Sequence, residues 1–381
     1  MDKNYRYIIG IDLGTTNCAL SYVEFPQNKD DKKEVKNFDI LQVTAPGVTE
    51  EKPLLPSFMY IASEVEFPAG SLDLPWASGR SFCVGEFARK RGAESPKRLI
   101  SSAKSWLCHA GVSREAKILP FASDDGCEKF SPIEASAKYI EHMKNAWDHK
   151  MASKDKGNAM AEQCIYITVP ASFDAAARDL TLKAAEMAGL RNITLLEEPQ
   201  AAFYSWINRT GDKWRREVKE GEVVLVFDIG GGTTDFSLIY VGQKDGDLTL
   251  NRIAVGNHIL LGGDNMDIAL ANLVRSKLES AGKKIDNWQF QGLWYSSRQA
   301  KENLLTDEKL DRMSVTVLSR GKSVIGGAMK SEILKSEIEK IMLDGFFAQA
   351  KSKDMPSKQA GLGITEISLP YASDPAITKH L

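Results

Sequence analysis

Short apolar runs broken by glycine-containing polar turns recur along the chain, with stretches of helical periodicity between them. Tyr7-Ile8-Ile9-Gly10-Ile11 and Ala19-Leu20-Ser21-Tyr22-Val23 predict strands on either side of a polar turn. Val223 to Phe227 and Phe236 to Val241 repeat that arrangement. Further apolar runs predict strands over 38–43, 55–61, 164–170, 193–196 and 248–254, and a strand pair over 313–318 and 323–325. Leu99, Ile100, Ala103, Trp106 and Leu107 have helical spacing. Ser131-Pro132-Ile133-Glu134 has the spacing of a capping box with proline in the first turn, and opens a helix to about Lys150. Asp174 caps a helix that Gly189 ends. More helices are expected from Glu197, from the Leu261–Asp267 stretch to about Ser280, and over 288–305 and 329–350. Residues 26–37, 64–80 and 351 onward read as polar loops. The alternation of strands and helices predicts an α/β chain.

The turn Asp228-Ile229-Gly230-Gly231-Gly232-Thr233-Thr234-Asp235 carries the first chemistry. Three glycines allow a ligand to approach the backbone, with N–H groups pointing inward at an anion. Two carboxylates beside an anion repel it unless a cation lies between, so Asp228 and Asp235 point to magnesium with a phosphate. A plain hairpin with a polar tip explains either turn alone equally well. The repeat changes that balance. Asp12, Gly14, Thr15 and Thr16 correspond to Asp228, Gly230, Thr233 and Thr234. An internal repeat implies two related lobes, here 1–212 and 213–381, each contributing a loop to one phosphate site. Threonine hydroxyls and backbone N–H groups would hold the phosphates, while Asp12 and Asp228 orient the water shell of the metal.

Three other features bear on that site. Lys97 and Lys104 sit on a basic, helically patterned stretch between the loops. A solvated helix face is the plain explanation; a lysine that reaches the terminal phosphate is the functional one, with Lys97 ahead of Lys104. Glu197 and Glu198 fall where a strand meets a helix, a frequent position for site carboxylates in α/β sheets, and Glu198 is the candidate. The alternative is that both favour the positive end of the helix. Gly262 and Gly263 open a helix whose N-terminus suits an anion, against an ordinary N-cap at Asp264. Arg298, Lys301 and Glu302 share a helix face.

Composition narrows the function classes. A net charge of −2 over 381 residues gives no electrostatic case for nucleic acid or an anionic membrane. No apolar run approaches the roughly 20 residues of a membrane span. The N-terminus lacks a signal peptide's apolar segment. The five cysteines are scattered without C-x-x-C spacing and read as free thiols, so a cytoplasmic location is expected.

The ordered motifs resemble the nucleotide-binding domain of the DnaK-type, seventy-kilodalton heat-shock chaperones, within the actin and sugar-kinase superfamily. Gly10 to Asn17 resembles that family's first phosphate loop, and Val226 to Asp235 its second. Thr168-Val169-Pro170-Ala171-Ser172-Phe173 followed by Arg178, Glu198-Pro199-Gln200-Ala201-Ala202, Lys97-Arg98-Leu99-Ile100, and Leu261-Gly262-Gly263-Asp264 resemble further signatures. The resemblance runs from about Tyr7 to Phe347. It implies an actin-like (ribonuclease H-like) ATPase of two lobes around a nucleotide cleft that binds ATP or ADP. By the same resemblance Asp12, Glu198, Asp228 and Asp235 surround magnesium and potassium, mostly through water. Gly14, Thr15, Thr16, Asn17, Gly230, Gly231, Gly232 and Thr233 meet the phosphates, and Thr233 joins Lys97, Glu198, Asp228 and Asp12 in the catalytic set. Gly262, Gly263, Arg298, Lys301 and Glu302 complete the nucleotide site. A J-domain co-chaperone and a nucleotide-exchange factor are the implied partners, and client peptides would bind only through a further domain.

The chain also departs from the family. Glu302 stands where an arginine stacks on adenine, and Val324-Ile325-Gly326-Gly327-Ala328 imitates the adenosine loop but comes too early. The expectation is that the chain stops before that loop, leaving the second lobe incomplete and the turnover of this chain open. Competing readings are an actin-like filament or scaffold ATPase, a small-molecule kinase, and a nucleotide-sensing module with little turnover.

Overall fold

The computed structural model describes residues 5–25, 34–109, 112–121, 123, 126–244, 247–317, 328–357 and 371–381. They form a mixed α/β structure with several sheets. Two compact units are interleaved along the chain. The first comprises the described residues of Met1–Ala88, Ile100–Ile229 and Asp235–His258; the second those of Arg89–Leu99, Gly230–Thr234 and Ile259–Leu381.

The main sheet of the first unit is built on β1 (Tyr7–Leu13). β2 (Asn17–Glu24) returns antiparallel along one edge, with Leu13 opposite Cys18. Along the other edge β3 (Cys164–Val169) runs parallel, with Asp12 opposite Thr168. β4 (Ile193–Glu197) runs parallel to β3, with Val169 opposite Glu197. Ile9, Ile11 and Leu13 of β1 and Ile165, Ile167 and Val169 of β3 are all buried, so strand alternation turns one set of side chains into the core. The parallel register has a second effect. It brings Asp12, Thr168 and Glu197 to the same C-terminal edge of the sheet, where ligands of α/β sheets bind.

Four helices follow from the sequence signals. α1 (Ala103–Cys108) is short. α2 (Pro132–Met151) begins with the expected capping box: Ser131 Oγ accepts from the Glu134 amide at 3.1 Å, and the Glu134 carboxylate accepts from the Ser131 amide at 2.7 Å. Its Trp147 is buried edge-on against Tyr7 and Tyr22, at 5.3 and 5.2 Å between ring centres. α3 (Ala175–Met187) is capped by Asp174, and α4 (Glu198–Thr210) starts directly from β4. α4 places Phe203 and Trp206 against Val218, Val224, Val226, Ile239 and Val241. Of these, Val224, Val226, Ile239 and Val241 belong to a second sheet ordered β5 (Val223–Ile229), β6 (Thr234–Lys244), β7 (Asp247–Val255).

The second unit contains α5 (Gly263–Ser280) and α6 (Asn287–Thr306). A hairpin follows, of β8 (Arg312–Val317) and β9 (Met329–Leu334), in register from Arg312–Leu334 to Val317–Met329. α7 (Lys335–Ile341) comes next.

Two expectations are corrected. Residues 329–334 form a strand, not the start of a helix; pairing with β8 satisfies their backbone and buries Ile333. The expected partner over 323–325, and the Gly326-Gly327 pair, lie outside the described residues. The Pro96–Leu107 stretch is not one helix either. It divides into a 3-10 turn (Pro96–Arg98), an extended pair (Leu99–Ile100) and α1, which starts after Ser102 in a left-handed backbone at φ 54°. Among the described residues no helix is long and apolar enough to cross a membrane. None of the five cysteines is joined in a disulfide.

Candidate functional site

The first glycine turn joins β1 to β2 and is fastened from Ser57, 43 positions beyond Gly14. Ser57 Oγ donates to the Gly14 carbonyl at 2.7 Å and its amide donates to the Thr16 carbonyl at 2.9 Å. Cys18 Sγ lies 3.2 Å from the same hydroxyl. A Cβ at Gly14 would stand 2.2 Å from the Asn17 carbonyl oxygen, so the turn closes only around glycine. Within it, Thr16 Oγ1 is buried without a partner. Asp12 Oδ1 accepts from the Thr168 hydroxyl at 2.9 Å, which orients the carboxylate at the sheet edge.

Beside that edge lies a buried ion pair. Lys104 Nζ, on α1, donates to Glu198 Oε1 at 2.5 Å, and the two side chains are only 12% and 16% exposed. Burial alone would lower the Lys104 pKa, but the charges of Glu198 and Asp12 outweigh it and raise the value, keeping the ammonium charged. Burial raises Glu198, with Asp228 and Asp12 adding to the rise and Lys104 opposing it. Asp228, at the end of β5, is raised by burial and then by the charges of Asp235 and Asp12. Three carboxylates, Asp12, Glu198 and Asp228, thus act on one ammonium. The surplus negative charge fits a cation. Among the described residues no three histidine, cysteine, aspartate or glutamate side chains form a group able to hold a metal ion by themselves.

The lysine in this cluster is Lys104. Lys97, the expected one, lies on the Pro96–Arg98 turn in the second unit. The break at Ser102 separates the two lysines, which a single helix would have placed on one element. The neighbouring carboxylate, Glu197, is occupied by arginines: Arg178 Nη2 at 2.9 Å and Arg252 Nε at 2.6 Å.

Asp235 is buried and engaged. Its Oδ1 accepts the hydroxyl proton of Ser172 and lies 3.2 Å from His258 Nδ1, which is itself 2.7 Å from Ser172 Oγ. Ser57, Ser172, His258 and Arg252 all escaped the sequence reading. Only Ser172 carried a signal, its place in the Thr168–Phe173 segment.

In the second unit the turn Gly230–Thr234 is closed by the Gly230 amide donating to the Thr233 carbonyl at 2.8 Å. The start of α5 holds it. The Gly263 and Asp264 amides donate to the Gly230 and Gly231 carbonyls at 3.0 and 2.6 Å. A Cβ on Gly262 would come within 2.5 Å of the Gly230 oxygen and 2.8 Å of the Gly231 oxygen. The close approach read from the glycine pair is therefore that of the loop backbone, and these two amides are not free for an anion. Thr234 Oγ1 donates to the Leu261 carbonyl at 2.8 Å and is structural.

The three α6 residues also have protein partners. Arg298 is buried, donating to Asp264 Oδ1 at 2.5 Å and Asp267 Oδ2 at 2.6 Å. Lys301 Nζ lies 2.7 Å from Asp267 Oδ1 and 3.2 Å from the Gly263 carbonyl. Glu302 Oε2 lies 3.3 Å from Arg89 Nη1. Arg298 therefore packs α6 on α5, where the sequence reading had set it toward a ligand.

Comparison with known proteins gives this geometry a family. Residues 80–367 match the model of the Hsp70 protein family. The chain is 27% identical to the chaperone protein DnaK of Mycoplasmoides gallisepticum, covering 91% of this chain and 54% of that protein. It is 26% identical to the chaperone protein DnaK of Buchnera aphidicola, covering 95% and 52%. A chaperone protein HscA homolog of Pasteurella multocida is 29% identical over 71% of this chain and 37% of its own length. The chain belongs to the Hsp70 family, and membership implies the actin-like ATPase fold. It spans about half the length of the DnaK proteins it matches.

Proposed function

We propose that this chain is the ATP-binding and ATP-hydrolysing part of a DnaK-like chaperone, with lobes at 1–212 and 213–381 closing around the nucleotide. The observation that carries the reading is the buried Lys104–Glu198 pair among Asp12 and Asp228, beside a turn that holds an unpartnered Thr16 hydroxyl. Thr15, Thr16 and Asn17 of the first turn, and Gly230, Gly231, Gly232 and Thr233 of the second, would bind phosphates. Asp12, Glu198 and Asp228 would hold hydrated magnesium, with potassium nearby, and Asp235 would join them if freed from Ser172 and His258. The metal, when bound, neutralises phosphate charge. Lys104, kept protonated by its carboxylate neighbours, stabilises the negative charge on the transferring phosphoryl group, and Glu198 orients the water that attacks it.

In this reading the protein works in the cytoplasm with a J-domain co-chaperone and a nucleotide-exchange factor, and client peptides bind outside residues 1–381. The test is single-turnover ATP hydrolysis by the longer protein. Lys104→Ala is expected to slow the chemical step by about a hundredfold or more while Lys97→Ala changes it little. An unchanged rate in Lys104→Ala would overturn the assignment.

A further inference from the structure

Ser172, Asp235 and His258 form a cluster of polar side chains within the first unit. Ser172 follows β3, Asp235 lies on β6 and His258 follows β7. The Ser172 hydroxyl donates to Asp235 Oδ1. A serine hydroxyl has one proton, and here it goes to the carboxylate. Ser172 Oγ therefore accepts from the ring nitrogen 2.7 Å away, His258 Nδ1. The same Nδ1 lies 3.2 Å from Asp235 Oδ1. One oxygen of Asp235 thus faces two donors. Phe173 covers the imidazole edge-on, with ring centres 5.9 Å apart. The Asp235 and His258 side chains are 6% and 18% exposed, so water is a poor substitute for either donor.

The trio is not arranged for nucleophilic catalysis. Serine and aspartate meet the same ring nitrogen, whereas base activation needs them on opposite nitrogens with the serine proton directed at the ring. What the cluster controls is Asp235. The charge of Asp235 adds to the burial that raises the Asp228 pKa, which places it beside the carboxylates of the site. As held, Asp235 completes no group of three side chains able to hold a metal ion, and among the described residues there is none. The hold also has a weak point. With Nδ1 as the donor of a neutral ring, Nε2 keeps a lone pair, and that atom is buried with no partner. An unsatisfied polar atom in the held arrangement makes release easier. We infer that Ser172 and His258 set the cation affinity of the site by competing with the cation for Asp235. The inference rests on the reading of Asp12, Glu198 and Asp228 as the residues that hold the cation. Ser172 and His258 are positioning residues, acting only through Asp235. Because Asp235 must leave both donors to join the other carboxylates, the apparent affinity falls by the fraction of molecules in which it is held.

The test is titration of the longer protein with manganese(II), followed by electron paramagnetic resonance, with ADP at saturation. Ser172→Ala and His258→Leu each remove a donor and are expected to bind manganese about tenfold more tightly than the parent. His258→Asn keeps an amide N–H near the place of Nδ1 and should stay within about threefold of the parent. Thermal melting separates competition from packing. Ser172→Ala should melt below the parent without manganese and ADP, and should recover most of that deficit when both are added. A hydroxyl with a merely structural role would leave the deficit unchanged. Manganese affinity unchanged or weakened in Ser172→Ala and His258→Leu, or a melting deficit that manganese and ADP leave in place, would overturn the competition alone. A parent that binds no manganese with ADP would overturn the reading of the site, and the competition with it.

Discussion

Replacing Arg298 with methionine tests the charge arithmetic of the second unit. Arg298 and Lys301 face Asp264 and Asp267, so two cations balance two anions. The side chains of Arg298, Asp264 and Asp267 are 6%, 3% and 1% exposed, so water compensates little. Methionine keeps most of the arginine's length but leaves two carboxylates against Lys301 alone. Breaking a buried pair by removing one partner costs about 3–5 kcal/mol. That is a large share of the roughly 5–15 kcal/mol that holds a typical protein folded. Adding Asp264→Leu restores neutrality, because Asp267 and Lys301 remain paired, and should recover most of the loss. The double variant is thus expected to be more stable than the single one, the reverse of ordinary accumulation of damage. Urea unfolding of the three proteins, with hydrogen exchange of the α5 and α6 amides to locate the effect, would measure it. A cost below about 1 kcal/mol for Arg298→Met, or a double variant less stable than the single one, would refute the buried-network account.

Other predictions follow from single observations. Gly262→Ala forces a methyl group against the Gly230 and Gly231 carbonyls and should cost about 2 kcal/mol or more while abolishing nucleotide binding measured by calorimetry. His142 is buried, with Nε2 2.9 Å from the Leu41 carbonyl, and burial pushes its pKa down to about 4. The unfolded chain therefore binds the extra proton first, and stability should fall as pH drops from about 6.5 to about 4, by up to about 3 kcal/mol. His142→Gln should flatten that part of a urea-midpoint profile against pH. Glu198→Gln should leave ATP binding within a few-fold while slowing hydrolysis about a hundredfold, which rapid-quench kinetics would resolve.

The strands flanking both glycine turns, and the turns themselves, were legible in the sequence because strand alternation and glycine placement are local signals. The capping box at Ser131 and the N-cap at Asp174 were legible for the same reason. The failures are non-local. Met329–Leu334 carries apolar residues that suit a helix as well as a strand, and only pairing with Arg312–Val317 decides it. Lys97 was set ahead of Lys104 on one helically patterned stretch, and the extended Leu99–Ile100 pair and the left-handed Ser102 put the two lysines on different elements. The protein partners of Arg298 and of the Gly262-Gly263 pair, Asp264, Asp267 and the Gly230–Gly231 backbone, are contacts that no spacing within one segment reveals. Ser57 and His258 gave no sign, since each acts on a residue far from it in the chain.

The Thr168–Asp12 hydrogen bond has a consequence for biosynthesis. Its two residues are 156 positions apart. At about 5–20 residues per second, a ribosome takes on the order of 8–30 s to travel between them. Throughout that interval the edge of Tyr7–Leu13 that pairs with β3 has no partner strand, and Ile9 and Ile11 await it. An open apolar strand edge is a template for pairing with a neighbouring nascent chain. The first strand of this chain therefore passes through a window in which it needs protection, and slowing translation between residues 24 and 164 should lower the soluble yield.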